Sequence, residues 1–186
     1  MAKKALLVVD VQNDFCPGGS LAVTDGDQVV GPLNRLIAFA EENGWEIYFS
    51  RDWHPAETKH FEKWPVHCVQ NTPGAEFHPN LQFPNDPQNF RVISKGMGDA
   101  DDYSAFDGGM SPQAEHLYVG GLATDYCVLW TVNRALELGY KVTLLQDACR
   151  AVDLTPGDGE RAIAQMRQNG ARIAPTEEVL NETEKG

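Results

Sequence analysis

The segment from Leu117 to Trp130 constrains the fold more than any other part of the chain. An apolar run typical of a buried strand leads through Gly120 and Gly121 into a short turn, and a helical pattern follows at once. Thr124 or Asp125 is placed to cap this helix, and Cys127 falls in its first turn. Free N–H groups at a helix start favour a thiolate, but free cysteines are also among the most buried residues. The segment alone leaves Cys127 open as a nucleophile or as a structural residue.

The remaining apolar segments alternate between strand-like and helical patterns. Strands are predicted at residues 4–10, 45–50, 90–94, 117–119, 140–145 and 171–174. Helices are predicted from about residue 25 or 27 to Gly44, at 125–138 and at 158–168, with a further helical turn after 176. The first strand is continuously apolar, which indicates that both of its faces are covered. The pattern predicts one domain, residues 1–186, with a six-stranded parallel sheet between helices.

Polar residues mark the carboxyl ends of four predicted strands. Asp10, Asp52, Lys95 and the 120–127 turn each follow a different strand. In open parallel sheets the functional site lies beyond these ends, where the strand order reverses. The long segment 55–89 and the Gly-rich segment 96–113 lack clear periodicity, and long loops within a domain are usually functional. We therefore expect the site among these residues.

Charge and composition narrow the class of protein. The 186 residues carry a formal net charge of -12, which argues against nucleic-acid and anionic-membrane partners. The apolar run after Lys3 and Lys4 is too short for a signal peptide or a membrane span, so a soluble, cytoplasmic protein is expected. Cys16, Cys68, Cys127 and Cys149 are widely spaced, which predicts reduced thiols. No helix stripe marks an interface, and we expect a monomer or a small homo-oligomer.

Two groups of residues could carry chemistry. A thiol that hydrolyses a carboxamide needs a base for its proton and gains from a fixed cation, and Asp10 and Lys95 would supply both for Cys127. Asp52 and His54 lie two apart in extended backbone and so project from the same face, which suits a metal.

His60 and His67 follow within the long loop and could complete the metal shell, whereas His78 and His116 are interpreted as structural. Gly96-Met97-Gly98 lacks the third glycine of a dinucleotide fingerprint, so a nucleotide cofactor is not expected.

Motifs along nearly the whole chain, in order, resemble those of nicotinamidases in the isochorismatase-like cysteine hydrolase superfamily. They are Asp10-Val-Gln-Asn-Asp-Phe15, Arg51-Asp-Trp-His-Pro55 with His60, Trp64-Pro-Val-His-Cys-Val-Gln-Asn-Thr-Pro-Gly-Ala75, Lys95-Gly96 and Gly121-Leu-Ala-Thr-Asp-Tyr-Cys-Val128. The resemblance implies a three-layer α/β/α, Rossmann-like hydrolase fold. It also implies hydrolysis of nicotinamide, and of pyrazinamide, through a cysteine thioester, with a role in NAD salvage.

The resemblance also implies a role for individual residues. It implies a catalytic triad of Asp10, Lys95 and Cys127 and an oxyanion hole formed by the amides of Ala123 and Cys127. Phe15 and Trp64 would hold the ring between them, and Tyr103 would line the pocket. One divalent metal, zinc with iron or manganese as alternatives, would be bound by Asp52, His54 and His67, with His60 as a fourth ligand that some relatives lack. A cis peptide bond between Leu122 and Ala123 is expected. Two alternatives stay open: a related amidase or carbamoyl hydrolase, and a non-catalytic metal-binding protein.

Overall fold

A six-stranded parallel sheet forms the centre of the molecule. The computed structural model describes residues 3–182. The strands in chain order are β1 (Lys4–Val9), β2 (Glu46–Asp52), β3 (Phe90–Lys95), β4 (His116–Leu122), β5 (Lys141–Arg150) and β6 (Arg172–Ala174). They lie in the order β3-β2-β1-β4-β5-β6, and each neighbouring pair is parallel. The predicted six-stranded parallel sheet is therefore confirmed, while a single domain over all of residues 1–186 stays a prediction.

Four helices cover the two faces of the sheet. They are α1 (Val30–Glu42), α2 (Leu129–Glu137), α3 (Asp158–Gln168) and α4 (Thr176–Glu182). Successive residues of a strand point to opposite faces, so β1 contributes Leu6 to one core and Leu7 to the other. The first core includes Leu33 of α1 and Val179 of α4, and the second includes residues of α2 and α3 such as Met166. The fold has the three α/β/α layers that were expected.

The strand order reverses beside β1. The chain builds β1, β2 and β3 towards one edge and then returns to place β4 on the other side of β1. Connections on the two sides of such a switch point diverge and leave a crevice at the carboxyl ends of the strands. The long segments between β2, β3 and β4 consist of loops and short 3-10 turns at Lys59–Glu62, Pro73–Ala75 and Pro87–Asn89. Over residues 3–182, none of the helices has the length and apolar character needed to cross a membrane.

The cysteine-bearing segment differs from the prediction at both of its ends. β4 continues through both glycines to Leu122, and a turn of π-helix, Thr124–Val128, precedes α2. The N–H of Val128 donates to the carbonyl of Ala123, five residues back, at 3.1 Å. Gly121 has φ +131°, and a Cβ there would lie 2.0 Å from the carbonyl oxygen of Val9. Gly121 therefore allows the close contact of β4 with β1, and neither glycine ends the strand.

Candidate active site

Asp10, Lys95 and Cys127 meet at the crevice, each delivered by a different element. Asp10 follows β1, Lys95 ends β3 and Cys127 lies in the π-turn after β4. The Lys95 Nζ is 2.8 Å from Asp10 Oδ2 and donates to Cys127 Sγ at 3.4 Å. All three side chains are buried, with exposed fractions of 0%, 1% and 6% in that order. An acid–base group, a cation and a thiol are thus held together away from bulk water.

A second carboxylate shares the same lysine. The Lys95 ammonium also forms a short contact with Asp52 Oδ1, so one cation lies between two buried carboxylates. Burial alone would lower the pKa of Lys95, but Asp10 and Asp52 raise it well above its usual range. For Asp52, burial would raise the pKa, and Lys95, His54 and His67 overcome that effect and hold it well below the usual range. Lys95 is therefore a permanent cation and Asp52 a permanent anion.

Asp10 and Cys127 have their pKa values shifted in the direction that keeps a proton. Burial raises the pKa of the Asp10 carboxyl, although Lys95 opposes the shift. Burial also raises the pKa of the Cys127 thiol well above its usual range, again against the effect of Lys95. Removal from water thus favours the neutral thiol over the thiolate. The thiol needs a base, and an Asp10 of raised pKa is a stronger base than an ordinary aspartate.

Local contacts fix the orientation of Asp10. Its backbone is left-handed, with φ 49°, and its N–H donates to the carbonyl of Ser50 at 3.1 Å. The Ser50 hydroxyl in turn donates to Asp10 Oδ1 at 2.6 Å. One carboxylate oxygen is therefore held by Ser50 of β2, and the other is left to Lys95. These contacts follow from the parallel register that places the end of β1 beside β2.

Three histidines and Asp52 converge beside the triad. One ring nitrogen from each of His54, His60 and His67 lies within 4.8 Å of the others. The Nε2 atoms of His54 and His67 are 3.6 and 3.8 Å from Asp52 Oδ2. His54 is fully buried, and its Nε2 has no hydrogen-bond partner. Three imidazoles and a carboxylate are a donor set that suits a divalent transition metal, and the unpartnered Nε2 fits a bound ion.

The other ring nitrogen of each histidine is held by a fixed partner. Nδ1 of His54 is 2.8 Å from the Gly96 carbonyl, and Nδ1 of His67 is 2.7 Å from the Pro65 carbonyl. A proton on Nδ1 leaves Nε2 as the nitrogen with a free lone pair, which is the form that binds a metal. Gly96 is needed for the first contact, because a Cβ at this position, φ +67°, would lie 2.5 Å from His54 Cε1.

A cavity opens over the thiol and the histidines, and its empty space, including the part open to solvent, is about 380 Å³. Eight of the eleven predicted site residues line it: Phe15, Asp52, His60, Trp64, His67, Tyr103, Ala123 and Cys127. The other three, Asp10, His54 and Lys95, are fully buried behind this lining. Trp64 Nε1 donates to the Tyr103 hydroxyl at 3.0 Å and fixes these two rings relative to each other. The cavity therefore presents flat apolar rings on its walls and reactive groups at its base.

The turn that carries Cys127 has the expected peptide geometry but not the expected cap. The bond between Leu122 and Ala123 is cis, as predicted. Neither Thr124 nor Asp125 caps the following helical segment. The Asp125 carboxylate instead accepts from the N–H groups of Val152 and Asp153, both at 2.9 Å. The cap prediction was wrong because the β5–α3 loop offers free N–H groups to this carboxylate.

Several residues at the site were not predicted from the sequence. Leu21, Tyr126 and Val152 also line the cavity. Gln12 is fully buried and its side-chain amide bonds to the main chain of Asp52 and Ala75. Tyr126 could have been found as the neighbour of Cys127. Leu21 and Val152 have no such signal, since isolated apolar loop residues are ordinary in any chain.

His78 and His116, interpreted as structural, stay apart from this cluster. His78 Nδ1 accepts from the N–H of Asn80 at 3.2 Å, and His116 Nε2 lies 2.9 Å from the Thr143 hydroxyl. The other three cysteines, Cys16, Cys68 and Cys149, are buried and, like Cys127, form no disulfide.

The relatives found by comparison with known proteins agree with one another in family and fold. The isochorismatase domain model matches residues 4–178. The nicotinamidase of Escherichia coli K12 is 40% identical, and the alignment covers 93% of this chain and 95% of that protein. The pyrazinamidase of Pyrococcus horikoshii in complex with zinc has a TM-score of 0.83 at 38% identity, with coverage of 93% and 99%. PnC1 of L. infantum in complex with nicotinate has a TM-score of 0.78 at 30% identity, with coverage of 95% and 94%.

Proposed function

The chain belongs to the isochorismatase domain family, and from this premise we propose that it is an amidohydrolase that converts nicotinamide to nicotinate and ammonia. The observation that carries the proposal is one cavity lined by the Cys127 thiol, by His60 and His67 and by aromatic rings, with the carboxylate of Asp10 and the ammonium of Lys95 buried behind the thiol. Pyrazinamide has a similar ring with an identical carboxamide and is proposed as a second substrate. Nicotinate release would serve NAD salvage.

The proposed first step forms a thioester. Asp10 takes the proton of Cys127 Sγ, and the sulfur attacks the carboxamide carbon while Lys95 stabilises the developing thiolate. The amides of Ala123 and Cys127 are proposed to stabilise the oxyanion. The proton on Asp10 then passes to the nitrogen, the C–N bond breaks and ammonia leaves.

The second step cleaves the thioester with water. Asp10, again ionised, takes a proton from the water as its oxygen attacks the carbonyl carbon. The C–S bond breaks, Asp10 returns the proton to sulfur, and nicotinic acid leaves and ionises to nicotinate in solvent. The burial of Asp10 supports this double role, because burial raises the pKa of the carboxyl and makes its anion a stronger base than an ordinary aspartate.

The metal is proposed to be one divalent ion held by Asp52, His54, His60 and His67, with zinc as the first choice and iron or manganese as alternatives. An ion held there would supply a Lewis acid for the ring nitrogen of the substrate, which would orient the ring. Phe15, Trp64 and Tyr103 are proposed to hold the faces and edge of the ring. These contacts select a flat heteroaromatic amide over an aliphatic one.

Ammonia release from nicotinamide tests the activity, with Cys127→Ala as the decisive variant. We expect this variant to lose more than about 10³-fold in turnover, because the nucleophile is removed. Cys149→Ala is the matched control, since it also deletes a buried thiol but lies outside the cavity lining, and it should retain activity. With hydroxylamine present, the wild-type protein should also yield the hydroxamate of nicotinate, the product expected when a thioester is trapped.

Each alternative gives a different result. A metal-loaded protein that releases no ammonia from nicotinamide would be a metal-binding protein or a hydrolase of another substrate. Turnover by Cys127→Ala at the wild-type rate would exclude the thioester even if the activity exists.

A further inference from the structure

The three histidines differ in what holds their second ring nitrogen. His54 and His67 are each held by a main-chain carbonyl, at Gly96 and Pro65. His60 alone is held by a side chain: its Nδ1 is 3.1 Å from Asp101 Oδ1. A carbonyl is neutral and fixed in place, whereas a carboxylate carries a charge that can strengthen the histidine as a ligand.

Asp101 has two partners. Its second carboxylate oxygen accepts from Lys63 Nζ at 2.6 Å, so the carboxylate is oriented from the solvent side by a lysine. Asp101 is partly exposed, with 30% of its side chain accessible, and it is not among the residues that line the cavity. His60, by contrast, is 3% exposed and lines the cavity. The Asp101 carboxylate therefore reaches the cavity lining through its hydrogen bond with His60.

We propose that Asp101 is a positioning residue that fixes the His60 ring with Nε2 towards the histidine cluster and strengthens His60 as a metal ligand. The inference rests on the metal site of the proposed function. A hydrogen bond from the Nδ1–H of His60 to the carboxylate fixes the tautomer and the orientation of the ring, and it raises the basicity of Nε2. Loss of such a partner typically lowers metal affinity about 10- to 100-fold.

The surrounding loops allow Asp101 to be changed without opening the site. Thr58 Oγ1 donates to the Gly98 carbonyl at 2.9 Å, and the N–H of Lys59 donates to Asp99 Oδ1 at 3.2 Å. These bonds join the same two loops as the Asp101 contacts but involve no histidine side chain. Asp99→Asn is thus a matched control, because it removes one negative charge two residues away and leaves the His60 contact in place.

The experiment measures zinc affinity without any substrate. Metal-free wild-type protein, Asp101→Asn, Asp99→Asn, His60→Ala and the double variant Asp101→Asn/His60→Ala are titrated with Zn²⁺ against a chromophoric chelator. Circular dichroism of each metal-free protein checks that it is folded. We expect Asp101→Asn to bind zinc about 10- to 100-fold more weakly than wild type, and Asp99→Asn to bind within about threefold. In the His60→Ala background the Asp101 substitution should cause no further loss.

Three results would overturn the inference. Equal zinc affinities for Asp101→Asn and Asp99→Asn would show that the contact with His60 contributes nothing beyond general charge. A loss caused by Asp101→Asn that persists in the His60→Ala background would show that Asp101 does not act through His60. A protein that binds zinc as expected but hydrolyses no nicotinamide would refute the proposed function alone. A hydrolase whose Asp101→Asn variant keeps wild-type zinc affinity would refute this inference alone.

Discussion

Gln12→Met tests whether one buried amide holds the loops around the site in place. The Gln12 side chain is fully buried and makes three hydrogen bonds of 2.8 Å: Nε2 donates to the carbonyls of Asp52 and Ala75, and Oε1 accepts from the N–H of Asp52. Methionine has a similar length and makes none of these bonds. The substitution therefore keeps the volume and leaves three buried main-chain groups without this partner.

The expected loss of stability follows from these three groups. A buried polar group that loses its partner costs about 1–3 kcal/mol, and carbonyls fall at the low end because they can accept from elsewhere. The total is roughly 3–6 kcal/mol, a large part of the 5–15 kcal/mol typical of a whole domain. Gln70→Met is the matched control, since Gln70 makes one such bond, to the Trp53 carbonyl at 2.9 Å, from a partly buried position. It should cost about 0.5–1.5 kcal/mol.

Urea unfolding of both metal-free variants, followed by tryptophan fluorescence, gives the two free energies of unfolding. The slope of the free energy against urea should be unchanged, so that a fall in midpoint reports stability. If Gln12→Met costs no more than Gln70→Met, the Gln12 network does not hold these loops and the reasoning fails. A changed slope would instead show that the denatured or native state had altered.

Three further perturbations test other parts of the molecule. Gly121→Ala should lower the free energy of unfolding in urea by about 3 kcal/mol or more, because the added Cβ would lie 2.0 Å from the Val9 carbonyl oxygen. Gly31→Ala is the control, since open space surrounds this position in α1, and it should be neutral or stabilising by up to about 1 kcal/mol. Zinc at 100 times its Kd should add about 2.7 kcal/mol to the stability of the wild type, and His54→Ala should lose most of this gain in a thermal melt. Burial and nearby positive charges lower the pKa of His116 in the folded protein below the 6.5 of the unfolded chain. As the pH drops through about 6.5, the unfolded chain therefore binds the proton before the folded protein does, and the free energy of unfolding falls. His116→Gln should lose less stability than wild type between pH 7.5 and 5.5. An equal loss would show that His116 does not cause this pH dependence.

The sequence predicted the sheet and the positions of the reactive groups because both depend on local patterns. Continuous apolar runs mark the strands, and the residue that ends each run lies at the carboxyl edge of the sheet. Asp10, Lys95 and Cys127 could be assigned to one edge on this basis, although Cys127 lies 117 positions after Asp10 in the chain. The resemblance then added the aromatic residues and the cis bond, which no pattern of apolar residues could indicate.

The features that the sequence did not predict depend on contacts between distant loops. Asp125 has the sequence position of a helix cap, and only the folded β5–α3 loop supplies the N–H groups that it accepts from instead. Asp101 lies 41 residues from His60 in a polar loop, where acidic residues are ordinary. The high pKa of Cys127 likewise follows from its complete burial, which a position in the first turn of a helix does not reveal.

Asp52 links the two halves of the site. One of its carboxylate oxygens contacts the Lys95 ammonium, and the other lies 3.6 and 3.8 Å from the Nε2 atoms of His54 and His67. A cation bound by the histidines and the lysine cation would therefore share one anion, with Lys95 also touching Asp10 and Cys127. Charge added or removed at the histidines must then change how strongly Asp52 holds Lys95, and so the electrostatic support that Lys95 gives to the thiol. The histidine cluster and the thiol are for this reason linked electrostatically through one carboxylate, that of Asp52, and the lysine that it holds.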